Sequence, residues 1–190
     1  DTFDRSEFGL TEVPRFESYR GFWFACFDNK IENLQTYLAG AKDYIDLVVE
    51  QSPEGKMEVV SGVQEYDIKA NWKLLVENSF DDYHLHSTHS TWLEYMKDAG
   101  VDTKVPKGLL LPKRGIGKDL GNGNAVIDNV NFRGRPVASW ISIYGEGAKP
   151  AIEAARKELS ARLGEERAER VANTNRNLFI FPNLMINDGS

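Results

Sequence analysis

All three histidines of the chain, His84, His86 and His89, lie within six residues of one another, and Glu77, Asp81 and Asp82 come just before them. The stretch around them, Asn71 to Met96, reads NWKLLVENSFDDYHLHSTHSTWLEYM and constrains everything else. Trp72, Leu75, Val76 and Phe80 recur at helical spacing, while Glu77, Asp81 and His84 fall at i, i+4 and i+7 on a second face. His84 and His89 are five residues apart, roughly 140° around an unbroken helix. One metal ion takes both only if the helix ends near His84 and the chain turns. Leu85-His86-Ser87-Thr88 suits such a break, because Ser and Thr compete for the backbone and can cap a second helix starting near His89. Two imidazoles joined in this way are ligands for iron or zinc, and a carboxylate as third donor leaves positions open for substrate or dioxygen.

The rest of the sequence bounds the classes open to such a site. A chain of 190 residues, 41% of them hydrophobic, buries a real core and has room for one domain and part of a second. A net charge of −6 and the absence of a Lys/Arg-rich run argue against nucleic acid or an anionic membrane as partner. No apolar run approaches the twenty or so residues that span a bilayer. Asp1 is neither an initiator methionine nor the start of a signal peptide and reads as a cut end. The single cysteine, Cys26, forbids an internal disulfide and suits a reducing cytoplasm; set in an alternating apolar strand, it reads as a small buried thiol.

Taken in order, residues 1–12 read as a loop, and Val13 to Phe27 as two strands around a tight turn near Gly21. Asn33 opens a helical piece with Leu34, Tyr37 and Leu38, broken at Gly40; a second carries Tyr44, Ile45, Val48 and Val49 and ends before Pro53. Lys56 to Ala70 alternates and predicts strands bent at Gly62. From Ala99 to about Gly123 the chain reads as irregular loop around Leu109-Leu110-Leu111. Its Lys104, Lys107, Lys113, Arg114 and Lys118 form a basic face that is solvated or attracts a carboxylated substrate or acidic ferredoxin. Asn124 to Asn131 and Val137 to Tyr144 predict strands. Pro150 opens a helix carrying Ile152, Ala155, Leu159 and Leu163, closed at Gly164, with Glu158 and Arg162 paired at i,i+4. A short charged helix follows over Glu165 to Ala172, and NLFIFPNLMIN, Asn177 to Asn187, predicts a strand broken by Pro182.

The central stretch resembles the mononuclear-iron motif of the alpha subunits of Rieske-type aromatic-ring-hydroxylating dioxygenases. The residues that carry the resemblance are Asn71-Trp72-Lys73, Glu77-Asn78, and Asp81, His84 and His89 in the order Asp-x-x-His-x-x-x-x-His, with the Phe181-Pro182-Asn183-Leu184 segment beyond. The resemblance implies an α+β fold, a helix-grip or START-like antiparallel sheet around a long helix, over residues 31–190. Residues 1–30 are then the closing strands of a Rieske domain. His84 and His89 become ligands of Fe(II), and Asp81 the link to a Rieske-cluster histidine of a neighbouring subunit. Asn78 lies near the iron, and Ser79, Phe80, Trp92, Leu93 and Met96 are candidates for the pocket wall. The third ligand, an aspartate, falls after Ser190, and Asp188 is too close to the Phe-Pro-Asn-Leu segment to supply it. A [2Fe-2S] Rieske cluster takes two cysteines and two histidines, so this chain, with Cys26 alone, cannot hold it. The implied partners are an aromatic substrate, dioxygen, a ferredoxin or NADH-dependent reductase, and further alpha subunits in a trimer, with or without beta subunits. Ser79 stands where many members of the family carry an aromatic residue.

Two other readings compete with an oxygenase that makes a cis-dihydrodiol. A START-like module binds an apolar ligand without chemistry, and a zinc hydrolase uses His84 and His89 with Glu77 as base, though without the His-Glu-x-x-His spacing. His86 and Asp82 read as neighbours of the site and not as ligands.

Overall fold

The computed structural model describes residues 8–81, 84–99, 115–130, 140 and 144–188. Strand β1, Arg15–Tyr19, pairs antiparallel with β2, Phe22–Cys26, with Tyr19 opposite Phe22. The two residues between them, Arg20 and Gly21, both have positive φ (51° and 87°), the turn geometry whose twist matches a tight hairpin. Alternation sends Glu17, Tyr19, Phe22 and Phe24 inward, while Phe16 and Trp23 stack on the outer face with ring centroids 5.0 Å apart. Cys26 is only half-buried.

Asn33 caps helix α1, Leu34–Leu38, its side chain accepting the Thr36 N–H at 2.9 Å. Helix α2, Ala41–Val49, follows at once. The break between them is at Gly40, whose N–H donates to the Leu120 carbonyl at 2.9 Å; a Cβ there would stand 3.2 Å from that oxygen. Four strands, β3 (Ile116–Gly121), β4 (Asn124–Val130), β5 (Thr174–Ile180) and β6 (Leu184–Asp188), form an antiparallel sheet in chain order. Helices α6, Lys149–Leu163, and α7, Glu165–Asn173, connect β4 to β5 through the intervening chain. Helices α3 (Trp72–Phe80), α4 (Leu85–Thr88) and α5 (Ser90–Asp98) lie between α2 and the sheet in sequence.

The core lies on one face of the sheet. Val126, Leu178 and Ile180 point into it and meet Leu38, Ile45, Leu159 and Val171, all no more than 1% exposed. Each such side chain contributes about 1.5–3 kcal/mol by leaving water. Charges at the rim tie α7 to α2: Arg167 bonds Glu50 at 2.7 Å and also Asp43, and Arg170 bonds Asp43 at 2.7 Å. None of the described helices is long and apolar enough to cross a membrane.

Several expectations change. The expected loop over 115–123 is instead strand β3 and a hairpin turn, Gly121-Asn122-Gly123, with all three residues at positive φ. That turn signature was obscured by the many glycines before it. Lys118 is exposed, as expected of a solvated face, and its ammonium is also paired, bonding Asp128 at 2.6 Å and the Tyr44 hydroxyl at 2.9 Å. Residues 56–70 form no strand among the described residues, and Val59 and Val63 are 98% and 94% exposed. Alternation there places apolar groups on both faces, Val60 and Tyr66 as well as Val59 and Val63, and no described strand offers it a ladder. The break at Pro182 is a turn, so the predicted single strand is the β5–β6 hairpin. The strand expected over 137–144, the Leu109-Leu110-Leu111 run and the basic residues 104, 107, 113 and 114 lie outside the described residues, Trp140 and Tyr144 apart.

Candidate metal centre

Helix α3 starts where its sequence says it should. Asn71 has extended backbone, and its side chain accepts the Lys73 N–H at 3.0 Å, satisfying one of the donors left over at a helix start. The helix then stops at Phe80, earlier than the periodicity predicts, and Asp81 turns extended at φ −94°, ψ 125°. Glu77, Asp81 and His84 therefore do not share the face of one helix. The apolar stripe is not a buried seam either: Trp72 and Leu75 are 52% and 63% exposed. Helix α3 meets the sheet by its two ends. Trp72 packs on Phe181 and Phe80 edge-on to Phe179, each with centroids 6.4 Å apart, and the Asn177 amide donates to the Ser79 carbonyl at 2.8 Å.

Past α3, the turn is built by one oxygen atom. Oδ1 of Asp81 lies 3.0 Å from the His84 backbone N–H, which it accepts, and 2.7 Å from His84 Nδ1. The His84 carbonyl in turn accepts the N–H groups of Ser87 and Thr88 and the Ser87 hydroxyl, so Leu85–Thr88, expected as a break, coils into α4. Ser87 and Thr88 do not cap the next helix. His89 occupies the cap position of α5 in the sparsely populated bridge region, φ −102° and ψ 19°, with its side chain making no capping bond. The imidazole points back instead, and His89 Nε2 lies 3.3 Å from His84 Nε2, with ring centroids 5.3 Å apart.

These contacts fix the chemistry of the pair. With Nδ1–H of neutral His84 held by Asp81, its Nε2 presents a lone pair. His89 Nε2 either donates to that lone pair or shares a cation with it. Nitrogens 3.3 Å apart can both reach one ion through bonds of about 2.1 Å. The carboxylate–histidine pair is the arrangement that orients a ligating imidazole and raises its basicity. Asp81, 15% exposed at its side chain, holds the imidazole through its Oδ1. No third His, Cys, Asp or Glu joins the pair among the described residues. Glu77 stays exposed on α3, giving its carbonyl to the Asp81 N–H at 3.1 Å. Asp188 faces the other side of the sheet, taking the Gln51 amide at 2.8 Å and lying 3.4 Å from Arg176.

The family model "Ring hydroxylating alpha subunit (catalytic domain)" matches residues 56–189. The chain belongs to this family. Among relatives of this ring-hydroxylating alpha subunit, the large subunit of 2-halobenzoate 1,2-dioxygenase from Burkholderia cepacia is 33% identical over 182 residues, 94% of this chain and 37% of the relative. The anthranilate 1,2-dioxygenase large subunit of Acinetobacter baylyi is 31% identical over 191 residues, 99% of this chain and 40% of its own length. The chain therefore spans about 40% of the curated relatives it matches. A solved structure of naphthalene 1,2-dioxygenase with indole bound in the active site superposes with a TM-score of 0.71 at 26% identity, covering 98% of this chain and 41% of that one. The mixed α+β architecture is thus that of the ring-hydroxylating alpha subunits.

Of the residues singled out in sequence, Asp81, His84 and His89 are brought together. Asn78 is exposed on α3, and Ser79 turns its hydroxyl back to the Leu75 carbonyl at 3.0 Å. Phe80 meets the sheet, and Trp92 on α5 is 37% exposed. Asp82 and the side chains of His86, Leu93 and Met96 lie outside the described residues. A row of amides was missed. Asn177 holds α3; alternation and register place Asn175 on β5, Asn129 on β4 and Asn187 on β6 on that same sheet face. The signal was present in TNRNLFI, where Asn175, Asn177 and Phe179 alternate with Arg176, Leu178 and Ile180.

Proposed function

We propose that His84 and His89 are two ligands of a mononuclear Fe(II) and that the protein serves as part of the catalytic alpha subunit of an aromatic-ring-hydroxylating dioxygenase. The observation that carries this reading is the pair of Nε2 atoms 3.3 Å apart, one of them on an imidazole held by Asp81 at 2.7 Å. Bound iron supplies the activation of dioxygen, whose two atoms are added to adjacent ring carbons to give a cis-dihydrodiol in aromatic catabolism. The chain's own residues orient and hold. Asp81 keeps the proton of His84 on Nδ1, so that Nε2 stays a donor to metal, and it is the group proposed to meet a Rieske-cluster histidine of a neighbouring subunit. Asn177 anchors the end of α3 from which that turn departs. Asn78, Ser79, Phe80, Trp92, Leu93 and Met96 remain the proposed surroundings of substrate, and the amide row of β4, β5 and β6 adds a polar floor.

The finer organisation follows the same reading. The sheet and α3 belong to a helix-grip, START-like fold over residues 31–190, with residues 1–30 closing a Rieske domain whose [2Fe-2S] ligands are not in this chain. The third iron ligand is an aspartate beyond Ser190. Electrons come from NADH through a reductase and ferredoxin, in a cytoplasmic assembly of three alpha subunits with or without beta subunits. The 2-halobenzoate and anthranilate relatives favour a single-ring aromatic acid over a fused hydrocarbon as substrate.

Anaerobic reconstitution of the alpha subunit with Fe(II), Zn(II) and no metal, followed by metal analysis and product analysis with reductase and benzoate, tests this. One iron per chain at the histidine pair, lost on His84→Ala and on His89→Ala, together with a cis-dihydrodiol is the expected result. Activity only with zinc would replace the oxygenase by the hydrolase. Ligand binding that ignores both substitutions, with no stoichiometric metal, would replace it by the binding module.

A further inference from the structure

Helix α3 carries the turn of the metal centre at its end, yet it cannot hold itself. It has nine residues, none of them buried, and a helix of fewer than about 12–15 residues is marginal in water on its own. What holds it is one face of β5 and the residue just past that strand. The Asn177 amide donates to the Ser79 carbonyl, Phe179 meets Phe80 at 75°, and Phe181 meets Trp72. Phe179 and Phe181 are themselves edge-on at 85°. Trp72, Phe181, Phe179 and Phe80 thus form one run, with successive ring centroids 6.4 Å apart, that begins at the first residue of α3 and ends at its last.

Phe179 is the fixed member of that run. It is 6% exposed and stands in the middle of the sheet, opposite Ala125 of β4 and Met185 of β6. Phe80, half-buried, is the member it holds. The next residue is Asp81, whose Oδ1 takes the His84 N–H at 3.0 Å and His84 Nδ1 at 2.7 Å. Two such bonds converging on one atom do not survive a displacement of about 1 Å. Once Asp81 lets go, a neutral imidazole carries its proton on either nitrogen, and Nε2 no longer keeps its lone pair.

We infer that Phe179 is a positioning residue of the metal centre. Through the ring of Phe80 it fixes the end of α3, and so keeps Asp81 Oδ1 on His84 and the proton of His84 on Nδ1. The consequence for metal binding rests on the reading of His84 as an iron ligand. The positioning itself does not, and its test needs no metal, so the two fail separately. Leu178, the neighbour of Phe179 that points to the opposite face of β5, is fully buried in the core and supplies the contrast: it stabilises the fold without touching α3.

Long-range nitrogen–proton correlation spectra of the isotope-labelled, metal-free protein, recorded above the ordinary histidine range so that the imidazoles are neutral, read which nitrogen of His84 holds the proton. His84→Gln assigns the signals among the three histidines. The unsubstituted protein is expected to show His84 protonated on Nδ1. In Phe179→Leu the ratio of the Nδ1-protonated to the Nε2-protonated form should fall about tenfold, the margin of one aromatic pair. Phe80→Leu removes the same contact from the half-buried helix end, so the question is still answered if Phe179→Leu fails to fold. Phe80→Tyr keeps the ring and should keep the ratio. Leu178→Ala lowers stability and should leave the ratio unchanged, which a general loosening of the fold would not. A ratio that holds in Phe179→Leu or in Phe80→Leu overturns the inference, as does one that falls equally in Leu178→Ala or in Phe80→Tyr, or a His84 that is not protonated on Nδ1 in the unsubstituted protein.

Discussion

Substituting Asp81 separates two jobs that its Oδ1 performs at once. The atom accepts the His84 N–H at 3.0 Å, which starts the turn, and holds His84 Nδ1 at 2.7 Å, which aims Nε2 at its partner. Asp81→Asn keeps a carbonyl oxygen in place for both donors and removes only the charge. A hydrogen bond to a charged group contributes about 1.5–3 kcal/mol against about 0.5–1.5 for a neutral one. The difference, about 1.4 kcal/mol, is roughly tenfold in affinity for a cation at the histidine pair. Asp81→Ala removes both bonds and frees the imidazole to rotate. The loss is then about a hundredfold, the upper end for removing such a supporting carboxylate, with a further cost of about 1 kcal/mol to the turn, as for a lost helix cap. Anaerobic competition of Fe(II) against a chromophoric chelator reads the affinities, and far-ultraviolet circular dichroism checks that the helices remain. Asp81→Asn binding iron within twofold of the unsubstituted protein would refute the charge argument. Asp81→Ala binding no more weakly than Asp81→Asn would refute the claim that the oxygen, not only the charge, positions His84.

Three further expectations concern the scaffold. Leu178 is fully buried between the sheet and the helices, so Leu178→Ala should cost about 2–5 kcal/mol in urea unfolding, and a loss below 1 kcal/mol would mean that this face is not the core. Asn177→Ala removes the bond to Ser79 at the end of α3; global stability should fall by about 1 kcal/mol, and amide exchange should quicken in α3 and not in α7, which hydrogen-exchange mass spectrometry reads. Burial opposes ionisation of Asp43, yet its bonds to Arg167 and Arg170 outweigh burial and hold its carboxyl below the usual range. A lowered folded pKa means stability that is present above the unfolded value of about 3.9 and lost as the pH falls through the folded one, so the gap in melting temperature between the unsubstituted protein and Asp43→Asn should close on acidification; a gap constant from pH 6 to pH 2 would contradict the pairing.

The local signals in the sequence were sufficient for most helices. Asn33 and Asn71 cap the helices they precede, Gly40 separates α1 from α2, Gly164 ends α6, and Arg162 meets Glu158 at 2.8 Å. Each of these is decided within one or two turns of chain, where composition and geometry are linked directly. The three groups that meet, Asp81, His84 and His89, were likewise named by their order in the chain. How they meet was not legible, because helical periodicity extends an α3 that in fact ends at Phe80, and nothing in the string of letters says that one oxygen of Asp81 takes both His84 donors. Strands failed for the same reason at longer range. Residues 56–70 alternate and stay unpaired, whereas Ile116–Gly121 hardly alternates and pairs, because a strand exists only when another strand supplies its ladder. The amide of Asn177 reaching the Ser79 carbonyl, 98 residues away, is a fact of tertiary structure alone. Sequence determined that Asp81, His84 and His89 lie close along the chain; only the folded structure decided that α3 stops at Phe80, is held by Asn177 across the sheet, and leaves the two Nε2 atoms facing each other, since those features depend on how the chain turns and on partners distant in it.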